Sequence, residues 1–341
     1  MDKVLFFGTD LHNSPTELAS KTVRKLSLRI PNSHVLSIQN VKNNNSKKEI
    51  AVIPRLTKIQ PLRLFFQSIL LPIYFTAYRL KGYKKIATFW TVNNLYHLFL
   101  FWYLKLLGFE TYFTVISAYN KNYNSLKYCK VIICQSERMR SFLSSMFPEK
   151  TLKVIRPGID LGVFKPSKKD IDIIIGSVPY SPSDLHLRGL DKVLDFLKEN
   201  SNLSAVIISR SSKTSEFISK MNLKNIKIIS KSLSEKDLAG MFGRSRVIVL
   251  LHKIAPDMPL SGIEAMACGC SVICSDNMGL VEIIQKNNCG IVYGSLDDTL
   301  LISDIKSLSK RPFQKRCRNA AEKFFNLEAN LKKYKKLLLD V

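Results

Sequence analysis

Long apolar runs are the first thing this sequence lacks. Leu64–Tyr78 is interrupted by Gln67 and Pro72, and Leu95–Phe109 carries His97 and Lys105. Neither reaches the roughly 18–20 apolar residues that a spanning helix needs, so no transmembrane segment is expected. No secretory leader is expected either. Met1-Asp2-Lys3 runs straight into Val4-Leu5-Phe6-Phe7, which is too short for a signal core and reads as a first strand. Paired C-x-x-C spacing is absent. Three of the seven cysteines, Cys268, Cys270 and Cys274, crowd one helix-to-strand turn and read as buried packing residues of a reducing compartment. No D-x-D pair flanked by strand signals offers a metal anchor, apart from Asp170-Ile171-Asp172 at the very start of a strand. Acid is scarce: 27 Asp and Glu stand against 52 Lys and Arg, for a net charge of +25. Such an excess forecasts an anionic partner, whether nucleic acid, membrane surface or phosphorylated substrate. No nucleic-acid-binding module is found and the lysines are scattered over both halves, so nucleic acid is not expected.

What is present suits two folded domains. The chain has 341 residues and is 46% hydrophobic, too long for one ordinary core. Strand and helix signals alternate as in parallel-sheet domains. In the first half, strands are expected at Val4–Phe7, His34–Gln39, Lys85–Trp90, Glu110–Ile116 and Val131–Gln135. Helices are expected from about Thr16 to Ile30 and over Leu62–Tyr78, bent at Pro72. Ser136 before Glu137 is a fair helix cap. A Pro- and Lys-rich linker, Leu161–Lys169, follows Pro157-Gly158. The alternation restarts at Ile171 and runs through Ala205–Ile208 and Ile226–Ile229. The tail, Arg311–Val341, reads as a Lys-rich helical segment, with Lys332, Lys333, Lys335 and Lys336 as a solvated face. The two apolar stretches of the first half have two readings: core helices, or a face that touches an anionic membrane. Arg55, Lys58, Arg63, Arg79, Lys81, Lys84 and Lys85 flank the first of them and suit the second reading.

One stretch organises the second half. Arg246–Leu251 is a β-branched run, read as a buried strand. After a loop with two prolines, a helix opens near Ser261, runs through Glu264-Ala265-Met266-Ala267 and stops at Gly269. Ser271–Cys274 is the next strand and Leu280–Gln285 starts another helix. This places Glu264 and an anion-favouring helix start at the mouth of a parallel sheet, where open α/β folds bind ligands.

Glu264-Ala265-Met266-Ala267-Cys268-Gly269, followed by Gly279-Leu280-Val281-Glu282, resembles the nucleotide-sugar signature of GT-B glycosyltransferases, in particular the retaining family four (group 1). The resemblance implies an α/β fold of two Rossmann-like doubly wound domains, with a cleft between them and a C-terminal helix crossing back. The expected divisions are 1–165 on the acceptor side, 166–320 for the nucleotide sugar, and 321–341 for the returning helix. The implied activity moves a sugar from a nucleotide sugar to a lipid-linked or glycan acceptor, with retention, at the cytoplasmic membrane face. No metal or further cofactor is implied.

The resemblance also assigns residues. Met258, Leu260 and Ser261 would offer N–H donors to the departing diphosphate, and Glu264 would accept the ribose hydroxyls. Arg188 matches the second cation position of the family and Lys192 is its auxiliary, while Ser177 stands where an arginine is usual. Pro256 stands where the first signature Glu is expected, so Asp257 would reach the donor sugar instead. The family's Gly-Gly pair is reduced to Gly8, with Asp10 and His12 nearby on the acceptor side. Ile116-Ser117 replace a customary His. These departures motivate a second reading, a degenerate relative that binds a nucleotide sugar or glycan without turning it over.

Overall fold

The computed structural model describes residues 3–8, 18–37, 50–52, 60–90, 95–116, 123–176, 178–253, 257–294, 304–305, 307–308 and 311–340. The chain divides into two compact units, one of Met1–Gly158 with Glu328–Val341 and one of Ile159–Leu327. No helix among the described residues is long and apolar enough to cross a membrane.

The first unit is a seven-stranded parallel sheet. Its strands are β1 (Val4–Gly8), β2 (Ser33–Ser37), β3 (Ile50–Val52), β4 (Lys85–Trp90), β5 (Glu110–Val115), β6 (Val131–Cys134) and β7 (Thr151–Val154), in the order β3-β2-β1-β4-β5-β6-β7. Val4 pairs with Ser33 on one side and Lys85 on the other, so the strand order reverses at β1. The helices are α1 (Leu18–Arg29), α2 (Gln60–Leu80), α3 (Leu95–Leu106) and α4 (Glu137–Met146). Both faces of a parallel sheet are covered, so β1 and β6 are continuous apolar runs, buried throughout. Ser136 caps α4 as its position predicts, accepting from the Met139 N–H at 2.9 Å.

The second unit repeats the plan with six parallel strands: β8 (Ile171–Ile175), β9 (Ala205–Ile208), β10 (Ile226–Ile229), β11 (Ser245–Leu250), β12 (Ser271–Ser275) and β13 (Gly290–Tyr293). Their order is β10-β9-β8-β11-β12-β13. Around them lie α5 (Leu190–Glu199), α6 (Ser212–Lys220), α7 (Glu235–Arg244), α8 (Leu260–Ala267), α9 (Val281–Asn287) and α10 (Arg311–Phe324). All seven cysteines are buried, and none forms a disulfide. Cys270 Sγ, for example, donates to the Phe242 and Ser245 carbonyls at 3.0 and 3.2 Å.

The tail is two helices rather than one. It breaks after α10 because Ile159 pairs with Asn326 as an isolated bridge, its N–H donating to Phe325 O at 2.8 Å. Beyond the break, α11 (Leu327–Leu339) returns to the first unit. There Tyr334 packs 5.4 Å from the Phe89 ring, and Asp340 pairs with the buried Lys85. Leu331, Tyr334 and Leu338 are buried while Lys332, Lys333, Lys335 and Lys336 are exposed, the solvated face that the spacing predicts.

Candidate functional site

The strand order of the second unit reverses between β8 and β11, which makes their carboxyl ends a topological switch point. Three elements converge there. Gly176 follows β8, and a Cβ at that position would stand 3.2 Å from Ser261 Cβ and 3.3 Å from Phe242 Cζ. The first loop of the unit therefore runs directly against the start of α8. Gly262 is pressed as closely: a Cβ there would meet Leu250 Cδ1 at 2.8 Å.

A two-turn 3-10 helix, Pro182–Arg188, brings in the cation. It is pinned to the end of β11 by the Lys253 N–H, which donates to Leu187 O at 3.0 Å. Gly189 then turns with φ +61°, and any Cβ would lie 2.2 Å from the Leu251 carbonyl oxygen. Only glycine meets both conditions. Arg188, immediately before it, is thereby set beside His252, with Nη1 3.0 Å from Nδ1.

His252 is 2% exposed. Burial first, and the Arg188 guanidinium second, pull its pKa down to about 3. The ring is neutral at ordinary pH, so Nδ1 accepts and Arg188 donates. Burial lowers Arg188 as well, but a guanidinium stays charged. From the other side Ser275 Oγ and Asn277 Nδ2 donate to the His252 carbonyl at 2.8 and 3.0 Å. The loops after β11 and β12 are thus tied into one wall.

Helix α8 is asymmetric. Its carboxyl end is held by two cations: Arg318 Nη1 donates to Ala267 O at 2.7 Å, and Lys169 Nζ to Cys268 O at 2.8 Å. Gly269, with φ +72°, closes that end in the left-handed conformation. At the amino end Pro259 is the cap residue, and its side chain makes no cap hydrogen bond. The first intrahelical donors are Gly262 and Ile263, both to Pro259 O. The N–H groups of Leu260 and Ser261 precede them and face the end where the helix dipole is positive.

Glu264 lies on the second turn, 3% exposed, and Asp257 in the preceding loop is 2% exposed. The Leu280 N–H donates to Asp257 O at 3.2 Å and fastens that loop to the start of α9. Met258 is buried beneath it. The structure sets Arg188 beside His252 past the end of β11, and the α8 start against Gly176 past the end of β8. Lys192, half-buried on α5, has no hydrogen bond or ion pair to Arg188, His252 or α8 among the described residues. Gly8 closes β1, paired with Ser37. Asp10, His12, Ser177 and Pro256 lie outside the described residues. His252 is absent from the sequence-based assignment. The available signal was its place two residues past a buried strand at a switch point.

The family model described as glycosyl transferases group 1 matches residues 168–324, which contain all of this geometry. Those residues are similar to group 1 glycosyl transferases, and the whole chain has a GT-B fold. Whole-chain likenesses agree with that fold. Sucrose-phosphate synthase from Thermosynechococcus elongatus superposes with TM-score 0.76 at 18% identity, over 99% of this chain and 98% of its own. Anabaena HepE in complex with UDP superposes with TM-score 0.75 at 12% identity, over 99% and 100%. WaaG, a glycosyltransferase involved in lipopolysaccharide biosynthesis, gives 0.65 at 12%, over 98% and 99%. At these identities the likeness concerns the fold. No curated protein sequence matches this chain.

Proposed function

We propose that the transferase moves a hexose from a nucleoside-diphosphate sugar to a hydroxyl of a lipid-linked or glycan acceptor, with retention, at the cytoplasmic face of a membrane. One observation carries the donor half: α8 has two cations on its carboxyl end and no side-chain cap from Pro259 at its amino end, at the switch point where Arg188 is set beside His252 past the end of β11. Transfer leaves a diphosphate that gains negative charge as the sugar departs. N–H donors fixed in advance, together with a guanidinium, stabilise that charge without reorganising. Leu260, Ser261 and Arg188 take this role, with Lys192 as auxiliary and His252 holding the guanidinium. Glu264 accepts the ribose hydroxyls and Asp257 reaches the donor sugar. Gly8, with Asp10 and His12 after it, belongs to the acceptor side. HepE is complexed with UDP and with UDP-glucose, which makes uridine nucleotides the first donors to try. The second reading, a non-catalytic binder, is favoured by Pro256 at the first glutamate position.

Steady-state kinetics tests the roles. Glu264→Ala should raise the donor KM about tenfold or more, the loss of a charged hydrogen-bond acceptor. Arg188→Ala should mainly lower kcat. Activity equal to wild type in either variant would refute the assignment. Donor binding with no transfer or hydrolysis would establish the non-catalytic reading.

A further inference from the structure

Helices α2 and α3 lie side by side in the first unit. Thr76 Oγ1 and Tyr103 Oη are 2.9 Å apart, and Arg79 Nε donates to Leu107 O at 2.8 Å. The two helices therefore run in the same direction. Their inner faces, Leu71, Phe75 and Tyr78 on one and Leu100, Phe101 and Leu104 on the other, are buried in the core.

The outer face of a helix that merely covers a sheet is polar. Here it is not. Ile69, Ile73 and Leu80 form a stripe along α2, and Phe99, Trp102 and Leu106 form one along α3. Together they are six of the eleven large hydrophobic side chains exposed among the described residues. Ile73 is 61% exposed, Leu106 67% and Trp102 44%. Phe99 lies 5.8 Å from Trp102 and 6.3 Å from Tyr103, which links the α3 stripe to the seam with α2. A contiguous apolar patch of this kind marks an interaction surface.

Charge identifies the occupant. From Ile50 to Phe109 the chain has no Asp or Glu at all, while it has Arg55, Lys58, Arg63, Arg79, Lys81, Lys84, Lys85 and Lys105. Lys81, Lys84 and Lys105 are exposed around the carboxyl ends of the two helices. A second copy of the chain would bring the same unbalanced positive charge against this face and be repelled. An anionic lipid surface supplies both an apolar layer and negative headgroups. Helix α3 is Leu95–Leu106, which at about 1.5 Å per residue is much shorter than the roughly 30 Å of a bilayer core. It can lie in the interface and cannot span it.

We infer that the joint outer face of α2 and α3 docks on an anionic bilayer, with Ile73, Trp102 and Leu106 among the acyl chains and Lys81, Lys84 and Lys105 at the phosphates. The inference rests on the membrane-face part of the proposed function and gives it a surface. Its test uses no nucleotide sugar, so its failure is distinct from failure of the donor site.

The experiment is co-sedimentation of the full chain with phosphatidylglycerol-containing vesicles and with pure phosphatidylcholine vesicles. Wild type should bind the anionic vesicles, and less so as salt is raised. The double variant Ile73→Glu, Leu106→Glu should bind them at least about tenfold more weakly, since two acyl contacts become charges that the headgroups repel. Both positions are exposed, and an unchanged thermal midpoint verifies folding. A measurement free of these variants accompanies it: Trp102 emission should shift to the blue on anionic vesicles, and Trp102→Phe should remove the shift. No binding to anionic vesicles would overturn the inference. So would equal binding by the double variant, or a solution dimer that the double variant dissolves.

Discussion

The two units share a strand order and differ in what they place outside it. In the second unit the chemistry gathers at strand ends, and its helices are ordinary covers: α5 buries Leu190, Val193, Leu194, Phe196 and Leu197 and leaves Asp195, Lys198 and Glu199 exposed. In the first unit α2 and α3 are apolar on both faces. A doubly wound sheet needs one apolar helix face, so the second has a separate cause. As proposed above, one unit serves a small anionic ligand and the other a surface.

Acid should break both units, by the same physics at different places. Each holds a buried imidazole: burial pulls His97 of the first unit down to about 4, and burial with Arg188 pulls His252 of the second to about 3. Both folded pKa values lie below the unfolded 6.5, so the unfolded chain binds more protons as pH falls. Stability is full above about pH 6.5 and declines below it, by about 3 kcal/mol for each imidazole at pH 4. Urea unfolding at stepped pH checks this. His97→Gln and His252→Gln should each flatten the part belonging to its own unit.

Gly189→Ala sharpens the contrast, because it strikes the second unit alone. With φ +61° and a Cβ 2.2 Å from a backbone oxygen, it should cost about 3–5 kcal/mol and displace Arg188. Denaturant titration should show early loss of the second unit.

Within the first unit, the two faces of α2 can be set against each other. Phe75 is fully buried against Phe7 and Phe109, at 5.1 and 6.3 Å between ring centroids. Phe75→Ala should cost about 3–5 kcal/mol. Ile73→Ala, two residues away, should stay within about 0.5 kcal/mol. Equal costs would mean that the outer face is covered in the free protein.

Much of this was legible in the sequence, for physical reasons. Ile171–Ile175, Ala205–Ile208 and Ile226–Ile229 are β-branched runs bounded by polar residues, and they are strands at those bounds. The signature around Glu264 lies in chain order, so it survives without a structure. Thr151–Val154 was not legible because its burial alternates between exposed and half-buried on a sheet edge. The break in the tail depends on Ile159, which is far away in sequence. His252 acquires meaning only from Arg188, 64 residues upstream. A lone His after a strand has no spacing to read. The apolar stripes are ambiguous in the sequence because hydrophobicity alone does not separate core from interface; the structure buries one face of each helix and exposes the other.

Isothermal titration of UDP, GDP and their sugar conjugates into wild type and Glu264→Ala tests the central claim most directly. The account predicts saturable binding of one nucleotide family to wild type, at least about tenfold weaker in the variant. Binding of none of them, or equal binding by both proteins, would contradict the donor site described at the start of α8.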